Sequence, residues 1–328
     1  MARRHFDERD ARVRPSRSTR PRSKDRPDYS SALQGLVISV ERGRYLCITE
    51  TQTEIVAMKA RELGKNAIVV GDRVGIVGDI SGQPGSLARI VSVLPRQNSL
   101  TRTVDDGESF EKTIAANVDQ MMIVVAAANP EPRTGFIDRC LAVAYDQRIT
   151  PILVMTKCDL KNPAQFLDNY RELELKIFTS AKGGDISEIA DALLDRTTVL
   201  IGHSGVGKST LVNAIIGDSS RRTGDVNTVT GRGRHTSSSA IAIRIPHSDS
   251  GWIIDTPGVR SFGLDHIDQG RVIASFTEFE AVIAQCPKNC SHDETGCALN
   301  DYASQHPDSA GRIAGLRRVL ASGNQPII

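Results

Sequence analysis

The chain has 328 residues, 39% apolar and 24% charged, with a formal net charge of +2. That length leaves room for two or three domains, and the balance is ordinary for a globular protein. The longest apolar run, "MMIVVAAA" from Met121, is too short to cross a bilayer, and no apolar stretch follows the basic N-terminus, so neither a membrane span nor a secretory signal is expected.

The charge is unevenly spread. Residues 1–31 hold ten Arg and Lys against five acids, a net charge of +5, which leaves the remainder at −3. This arm is rich in Pro, Ser and Arg and has almost nothing to bury, so it is expected to be disordered alone. A basic arm on a near-neutral body gathers phosphates, and RNA is the expected partner; a solvated tail is the alternative.

From Leu33 to Leu100 the texture is short β segments and turns. "LVISV" and "RYLCIT" flank "ERG", a hairpin signal, and "EIVAM", "IVVGDRVGIVG" and "LARIVSV" follow. Five short strands suit a small closed barrel such as an OB-fold, with an SH3-like barrel as the alternative. Tyr45 is the one aromatic residue in these strands. A barrel without a stacking platform would grip RNA by backbone and shape.

Beyond Ala116 the pattern changes. "VDQMMIVVAAAN" reads as a buried strand, "FIDRCLAVAYDQR" as a helix, and "PILVMTKCD" and "ELKIFTSAK" as strands with polar ends. "DISEIADALLDR" reads as a helix N-capped by Asp185. "TTVLIGHSGVGKS" is strand, loop and helix, and "SGWIIDTPG" is one more strand. Strands alternating with helices predict a parallel sheet covered on both faces. After Ser275 the chain turns helical and ends in "AGRIAGLRRVLAS", another helix.

Residues 202–210, Gly202-His203-Ser204-Gly205-Val206-Gly207-Lys208-Ser209-Thr210, have the spacing of a phosphate-binding loop between a strand and a helix. Its backbone N–H groups curl around phosphate oxygens, Lys208 reaches the β and γ phosphates, and Ser209 offers its hydroxyl to Mg²⁺. Asp255 in "DTPG" is placed to hold that metal through water, and Gly258 to offer its N–H to the γ phosphate. "TKCD", Thr156-Lys157-Cys158-Asp159, selects guanine: the Asp159 carboxylate accepts from N1–H and N2–H₂, and the Lys157 stem lies across the base. "TSAK", Thr179 to Lys182, supplies a backbone N–H from Ala181 to the guanine oxygen, flanked by Ser180 and Lys182. GTP and GDP are therefore the expected ligands.

In most guanine-nucleotide enzymes these two base-reading motifs follow the phosphate loop. Here they precede it. The order is that of a circularly permuted GTPase, in which a parallel sheet has been cut and rejoined elsewhere. The twenty or so residues from "TSAK" to the phosphate loop suffice for one crossover.

Cysteines stand at positions 47, 140, 158, 286, 290 and 297. Cys286, Cys290, His292 and Cys297 supply three thiolates and one imidazole, a closed tetrahedral set for structural Zn²⁺. Such a cluster without an export signal places the chain in the cytoplasm.

A permuted GTPase between a five-strand barrel and a Cys/His cluster resembles the ribosome small-subunit-dependent GTPase A family of bacteria. The resemblance runs from Leu33 to the C-terminus and rests on "VVGDRV", "PRQNSLTR", "AANVDQ", "GHSGVGKSTLVN", "GRHT", "DTPGVRSFGL" and "GCAL". It implies an OB-fold, a permuted GTPase and a zinc domain, and a role in late maturation of the small ribosomal subunit on its rRNA. The expected divisions are a basic arm (1–31), an OB-fold barrel (32–102), the permuted GTPase domain (112–266) and a helical zinc-binding domain (267–328), in a monomer. Two departures stand out. Thr156 occupies a place where most GTPases have Asn. The family spaces its first two Cys by four residues and its His and last Cys by five, where this chain has three and four.

Val259 follows "DTPG" where many GTPases carry the Gln that orients the attacking water. His235 of "GRHT" is the candidate for that task, beside Thr236 as the second Mg²⁺ ligand. A potassium ion is the rival, although its usual Asn ligand in the phosphate loop is here Gly205. Two other readings are a phosphate-loop ATPase or kinase, which Asp159 opposes, and an RNA-binding protein with a vestigial site, which Lys208, Ser209 and Asp255 oppose.

Overall fold

The computed structural model describes residues 29–64, 67–104, 110–220, 240–256 and 267–322. The expectations for the arm, for His235, Thr236 and Gly258, and for Val259, fall outside these residues. The chain divides between Ser31 and Ala32, and the unit from Ala32 onward is the one described below.

Strands β1 (Leu33–Glu41), β2 (Arg44–Thr49), β3 (Glu54–Lys59), β4 (Arg73–Gly78) and β5 (Ala88–Val93) close into a barrel in the order β1-β2-β3-β5-β4 and back to β1. The β3–β5 pair is parallel and the others are antiparallel, so this is the five-strand OB-type barrel. Alternation along each strand sends Val37, Cys47, Ile55, Val74, Ile76 and Ile90 to its core, all fully buried.

The run from Ile68 to Gly78 is not one strand. Gly71 has φ +90°, and a Cβ there would lie 2.0 Å from the Ala116 carbonyl oxygen. The chain turns at that point, with the buried Asp72 carboxylate accepting from the Val69 N–H at 2.8 Å. β4 therefore begins only at Arg73.

A hairpin that the sequence pattern did not predict, β6 (Ser99–Val104) and β7 (Phe110–Ala116), links barrel and sheet. Three of the resemblance motifs meet beside it. Arg96 donates two bonds to Asp72 at 2.7 and 2.9 Å. Asn98 exchanges two bonds with the Val118 backbone at 2.8 and 2.9 Å. The Asn117 side chain donates to the Gly71 carbonyl and accepts from the Gln97 N–H. Around the buried Asp72, these half-buried side chains tie the three segments to one another.

Strand β8 (Gln120–Ala126) is buried along its whole length. Helix α1 (Thr134–Asp146), β9 (Thr150–Thr156), the short α2 (Ala164–Leu167), β10 (Lys176–Thr179), α3 (Ser187–Asp191), β11 (Thr197–Ile201), α4 (Lys208–Ser220), β12 (Ile241–Arg244) and β13 (Trp252–Asp255) follow. The strand order is β10-β9-β8-β11-β13-β12, parallel except for β12. Met121, Ile123 and Val125 of β8 pack toward α1, whereas Met122, Val124 and Ala126 pack with α3 and α4 on the other face. Both faces are covered, as a parallel sheet requires.

Helix α3 is shorter than its apolar stripe predicted, and Asp185 is not its N-cap. Ile186 holds that position, while Asp185 accepts from the Ser187 N–H and hydroxyl. Past Asp191 the bonds tighten to three-residue spacing, and Asp195 turns to φ +54°. Its carboxylate accepts from the Ser248 hydroxyl and the Asp249 and Ser250 N–H groups, which aims the chain into β11.

The C-terminal part holds α5 (Gln269–Ala274, capped by the Asp268 carboxylate), α6 (Glu280–Ile283), α7 (Ala298–Gln305) and α8 (Ala310–Ser322). α8 lies on α1, where Arg318 pairs with the buried Asp138 at 2.9 Å, and Arg271 of α5 pairs with Asp146 at 2.7 Å. Among the described residues no helix is long and apolar enough to cross a membrane.

Candidate nucleotide site and metal centre

The parallel strands all end on one edge of the sheet, the side where such sheets bind ligands. β11 ends at Ile201 and delivers the phosphate loop; β13 ends at Asp255; β9 and β10 end at Thr156 and Thr179. The motifs separated in sequence are thereby brought together.

Gly202 has no room for a side chain, since a Cβ would lie 2.3 Å from the Val124 carbonyl oxygen. Gly205 and Gly207 have φ +81° and +96°, the left-handed backbone that lets the loop curl. Lys208, the first residue of α4, folds back over the loop. Its ammonium donates to the Gly202 carbonyl and, at 2.9 Å, to that of His203. Burial lowers its pKa from the ordinary lysine value, and the Asp255 carboxylate opposes that shift. The His203 ring lies 4.3 Å from that of Phe136 on α1, a contact the sequence did not announce. Ser204 is exposed, Val206 is buried, and Ser209 and Thr210 open α4.

The base-reading motifs form one surface. The Thr156 hydroxyl is buried, 2.5 Å from the Val206 carbonyl oxygen and 3.2 Å from that of Val125. Lys157 takes φ +56°, and its ammonium donates to the Asn129 carbonyl. The Cys158 N–H donates to the Ser180 carbonyl at 3.1 Å, and the Ser180 N–H to Met155 at 2.8 Å. The Asp159 carboxylate accepts from the Lys182 N–H at 3.2 Å. Ala181 accepts from the Gly184 N–H, closing the "TSAK" turn. Beside these, the Thr256 hydroxyl donates to the Leu200 carbonyl at 3.0 Å and ties "DTPG" to the phosphate-loop strand.

The ligand atoms of Cys286, Cys290, His292 and Cys297 all lie within 4.8 Å of one another. Cys286 Sγ is 3.8 Å from Cys297 Sγ and 3.7 Å from His292 Nδ1, and Cys297 Sγ is 4.0 Å from that nitrogen. A tetrahedral ion with metal–sulfur bonds of about 2.3 Å would set sulfur–sulfur edges near ~3.8 Å. The shortened spacings thus still converge, because Asn289 and His292 adopt left-handed backbone at φ +60° and +63°. Burial, then the Arg317 guanidinium, holds the His292 imidazole below its usual pKa, which favours the neutral form that a metal needs.

Arg317 of α8 donates to the His292 carbonyl and to Asn300 Oδ1, each at 2.6 Å. Asn300 of α7 in turn donates to the Glu294 carbonyl at 2.7 Å. Both residues brace the ligand loop, and neither carries a motif that would have marked it.

The RsgA GTPase family model matches residues 93–265. The small ribosomal subunit biogenesis GTPase RsgA of Nitrosospira multiformis is 35% identical over 92% of this chain and 95% of its own. The chain belongs to the RsgA GTPase family. The RsgA of Pseudomonas aeruginosa is 37% identical over 78% of this chain and 76% of its own. The crystal structure of YjeQ from Thermotoga maritima superposes with a TM-score of 0.65 at 26% identity, covering 90% of this chain and 99% of that one. YloQ, a circularly permuted GTPase, shares the fold with a TM-score of 0.63 at 21% identity, over 93% of this chain and 100% of its own. A permuted GTPase between an N-terminal barrel and a C-terminal Cys/His cluster is therefore the architecture of this RsgA-family chain.

Proposed function

We propose that this chain hydrolyses GTP on the small ribosomal subunit and acts as a checkpoint late in that subunit's maturation. The observation that carries the nucleotide part is the meeting of Thr156 with Val206, which locks the base-reading loop to the phosphate loop despite their reversed order. The ribosomal part comes from the relatives, which are named for small-subunit biogenesis.

In this reading Asp159 accepts the two guanine protons, positioned by the Lys182 N–H, with Thr156, Lys157 and Cys158 shaping the loop. Ser180, Ala181 and Lys182 face the guanine oxygen. The backbone of Gly202 to Thr210 wraps the phosphates. Lys208 exchanges its bonds to the Gly202 and His203 carbonyls for phosphate oxygens. Mg²⁺, when bound with GTP, neutralises charge on the β and γ oxygens. Ser209, Asp255 and Thr236 would hold it, and Gly258 would donate to the γ phosphate. His235 would position the attacking water, since Val259 cannot.

Cys286, Cys290, His292 and Cys297 would hold one structural Zn²⁺, with all four positions filled and none left for catalysis. The zinc-binding part (267–328), the GTPase domain (112–266), the barrel (32–102) and the arm (1–31) are the proposed divisions. The barrel would grip rRNA through phosphates: Arg44, Met58 and Arg89 stand side by side on β2, β3 and β5, all exposed. The protein would act as a monomer in the cytoplasm. Sedimentation with purified small subunits tests the partner: the chain loaded with a GTP analogue should travel with them, and failure to do so at any salt concentration would reject the ribosomal reading.

A further inference from the structure

The barrel and the sheet are not merely adjacent. Strand β1 pairs antiparallel with β12, Ser39 opposite Ile241. Ile241 in turn lies opposite Asp255 on β13, and Asp255 opposite Leu200 on β11. One row of paired residues, Ser39–Ile241–Asp255–Leu200, therefore runs from the barrel wall to the strand that feeds the phosphate loop. Against β2, β1 is bulged between Val37 and Ser39. Val37 remains in the barrel core, while Ile38 turns into the core of the sheet, in one cluster with Ala242, Trp252 and Ile254. A second tie closes the seam. Arg244, the last residue of β12, donates to the Gln52 side chain in the β2–β3 turn, and also to the Asp249 carbonyl at 3.2 Å. Gln52 is held there in left-handed backbone, φ +61°.

We propose that β12 is a coupling strand: through the Ser39–Ile241–Asp255 row and the Arg244–Gln52 bond, the barrel senses which nucleotide occupies the site. Arg244 and Gln52 are positioning residues in this account and touch no nucleotide. The inference rests on the reading of Asp255 as a group facing the phosphates. Replacing GTP by GDP changes the charge that Asp255 faces, and the row passes any displacement through β12 to β1. Linkage makes the effect reciprocal: a ligand on the barrel that favours one arrangement of β1 must shift the preference between the two nucleotides by the same factor.

The test is hydrogen exchange on the full chain loaded with GDP or with a non-hydrolysable GTP analogue. Peptides covering Leu33–Glu41 and the turn around Gln52 should exchange at rates differing by about fivefold or more between the two states, the lower end of typical coupling. Arg244→Ala and Gln52→Ala should erase most of that difference in the turn around Gln52, leave Leu33–Glu41 responding through the backbone row, leave the response of the phosphate-loop peptides intact, and keep nucleotide affinity within about twofold. Gln52→Glu, which can still accept from Arg244, should retain it. Barrel peptides that exchange alike in both states, while the phosphate loop responds, would overturn the coupling. So would an Arg244→Ala chain whose Gln52 turn responds in full. If the phosphate loop itself is silent, the nucleotide-site reading fails and takes this inference with it.

Discussion

The hydroxyl of Thr156 lies 2.5 Å from the carbonyl oxygen of Val206, fifty positions later in the chain. Thr156 ends β9 and Val206 lies in the loop between β11 and α4, and a Cβ added at the neighbouring Gly207 would meet the Thr156 side chain at 3.6 Å. A single hydroxyl proton thus ties the two loops together. Thr156→Val keeps the shape and removes the proton. It should leave a buried carbonyl unpaired at a cost of about 1–3 kcal/mol. Equilibrium titration with a fluorescent GDP should show an affinity roughly ten times weaker, and Thr156→Asn should restore most of it. Parent-like binding by the Val variant would show that the two loops are held together by something else.

Base choice is assigned to Asp159. Asp159→Asn replaces an acceptor pair with an amide that opposes one guanine proton, so GTP should bind more weakly by about 1–3 kcal/mol. Xanthine nucleotide, inverted at that edge, should recover part of the loss. Competition binding decides, and unchanged GTP affinity in the variant would end the assignment.

Metal analysis of the purified chain should find one zinc per molecule. Cys290→Ala should lose it. The Arg317–His292 and Asn300–Glu294 bonds brace the same loop, so the C-terminal helices should become more open to proteolysis. Nucleotide affinity should stay within about twofold, because no ligand of the metal lies at the sheet edge. A chain free of metal but still compact would contradict a structural zinc.

RNA binding is expected to be electrostatic. Deleting residues 1–31 removes ten basic side chains and five acidic ones. For every phosphate that the chain no longer neutralises, whether through this arm or through Arg44 and Arg89, the slope of log affinity against log salt should fall by about 0.7–0.9. A truncated chain and an Arg44→Ala/Arg89→Ala chain should each be shallower than the parent. Identical slopes would leave the arm a tail and the barrel face idle.

The parts legible in the sequence were those where chemistry restricts residue type and spacing. The phosphate loop needs Gly202, Gly205 and Gly207 for close approach and left-handed backbone, and the structure shows those needs directly. The permuted order could be read because each motif sits at a strand end. The four metal-ligand candidates were visible as a cluster, although their convergence depended on two left-handed residues that spacing alone does not reveal. Other parts were hidden by tertiary context. β12 is four residues long and exists as a strand because β13 and β1 flank it. Helix α3 carries a stripe long enough for three turns, but the Asp195 carboxylate draws the chain away toward β11 before they form. The Asp72–Arg96 pair joins two motifs that stand apart in the sequence, and only the folded chain shows that they are partners.

The central claim is that hydrolysis belongs to the assembled complex. Steady-state GTP turnover, measured with and without purified small ribosomal subunits, tests it most directly. Without subunits the chain should turn over slowly, on the order of 10⁻⁴–10⁻² s⁻¹, as GTPases do when no catalytic group is supplied. With subunits the rate should rise by about 10²–10⁴, the range of positioned general-base catalysis. His235→Ala should lose most of that rise and keep the basal rate. A parent chain whose turnover is the same with and without subunits would contradict the account.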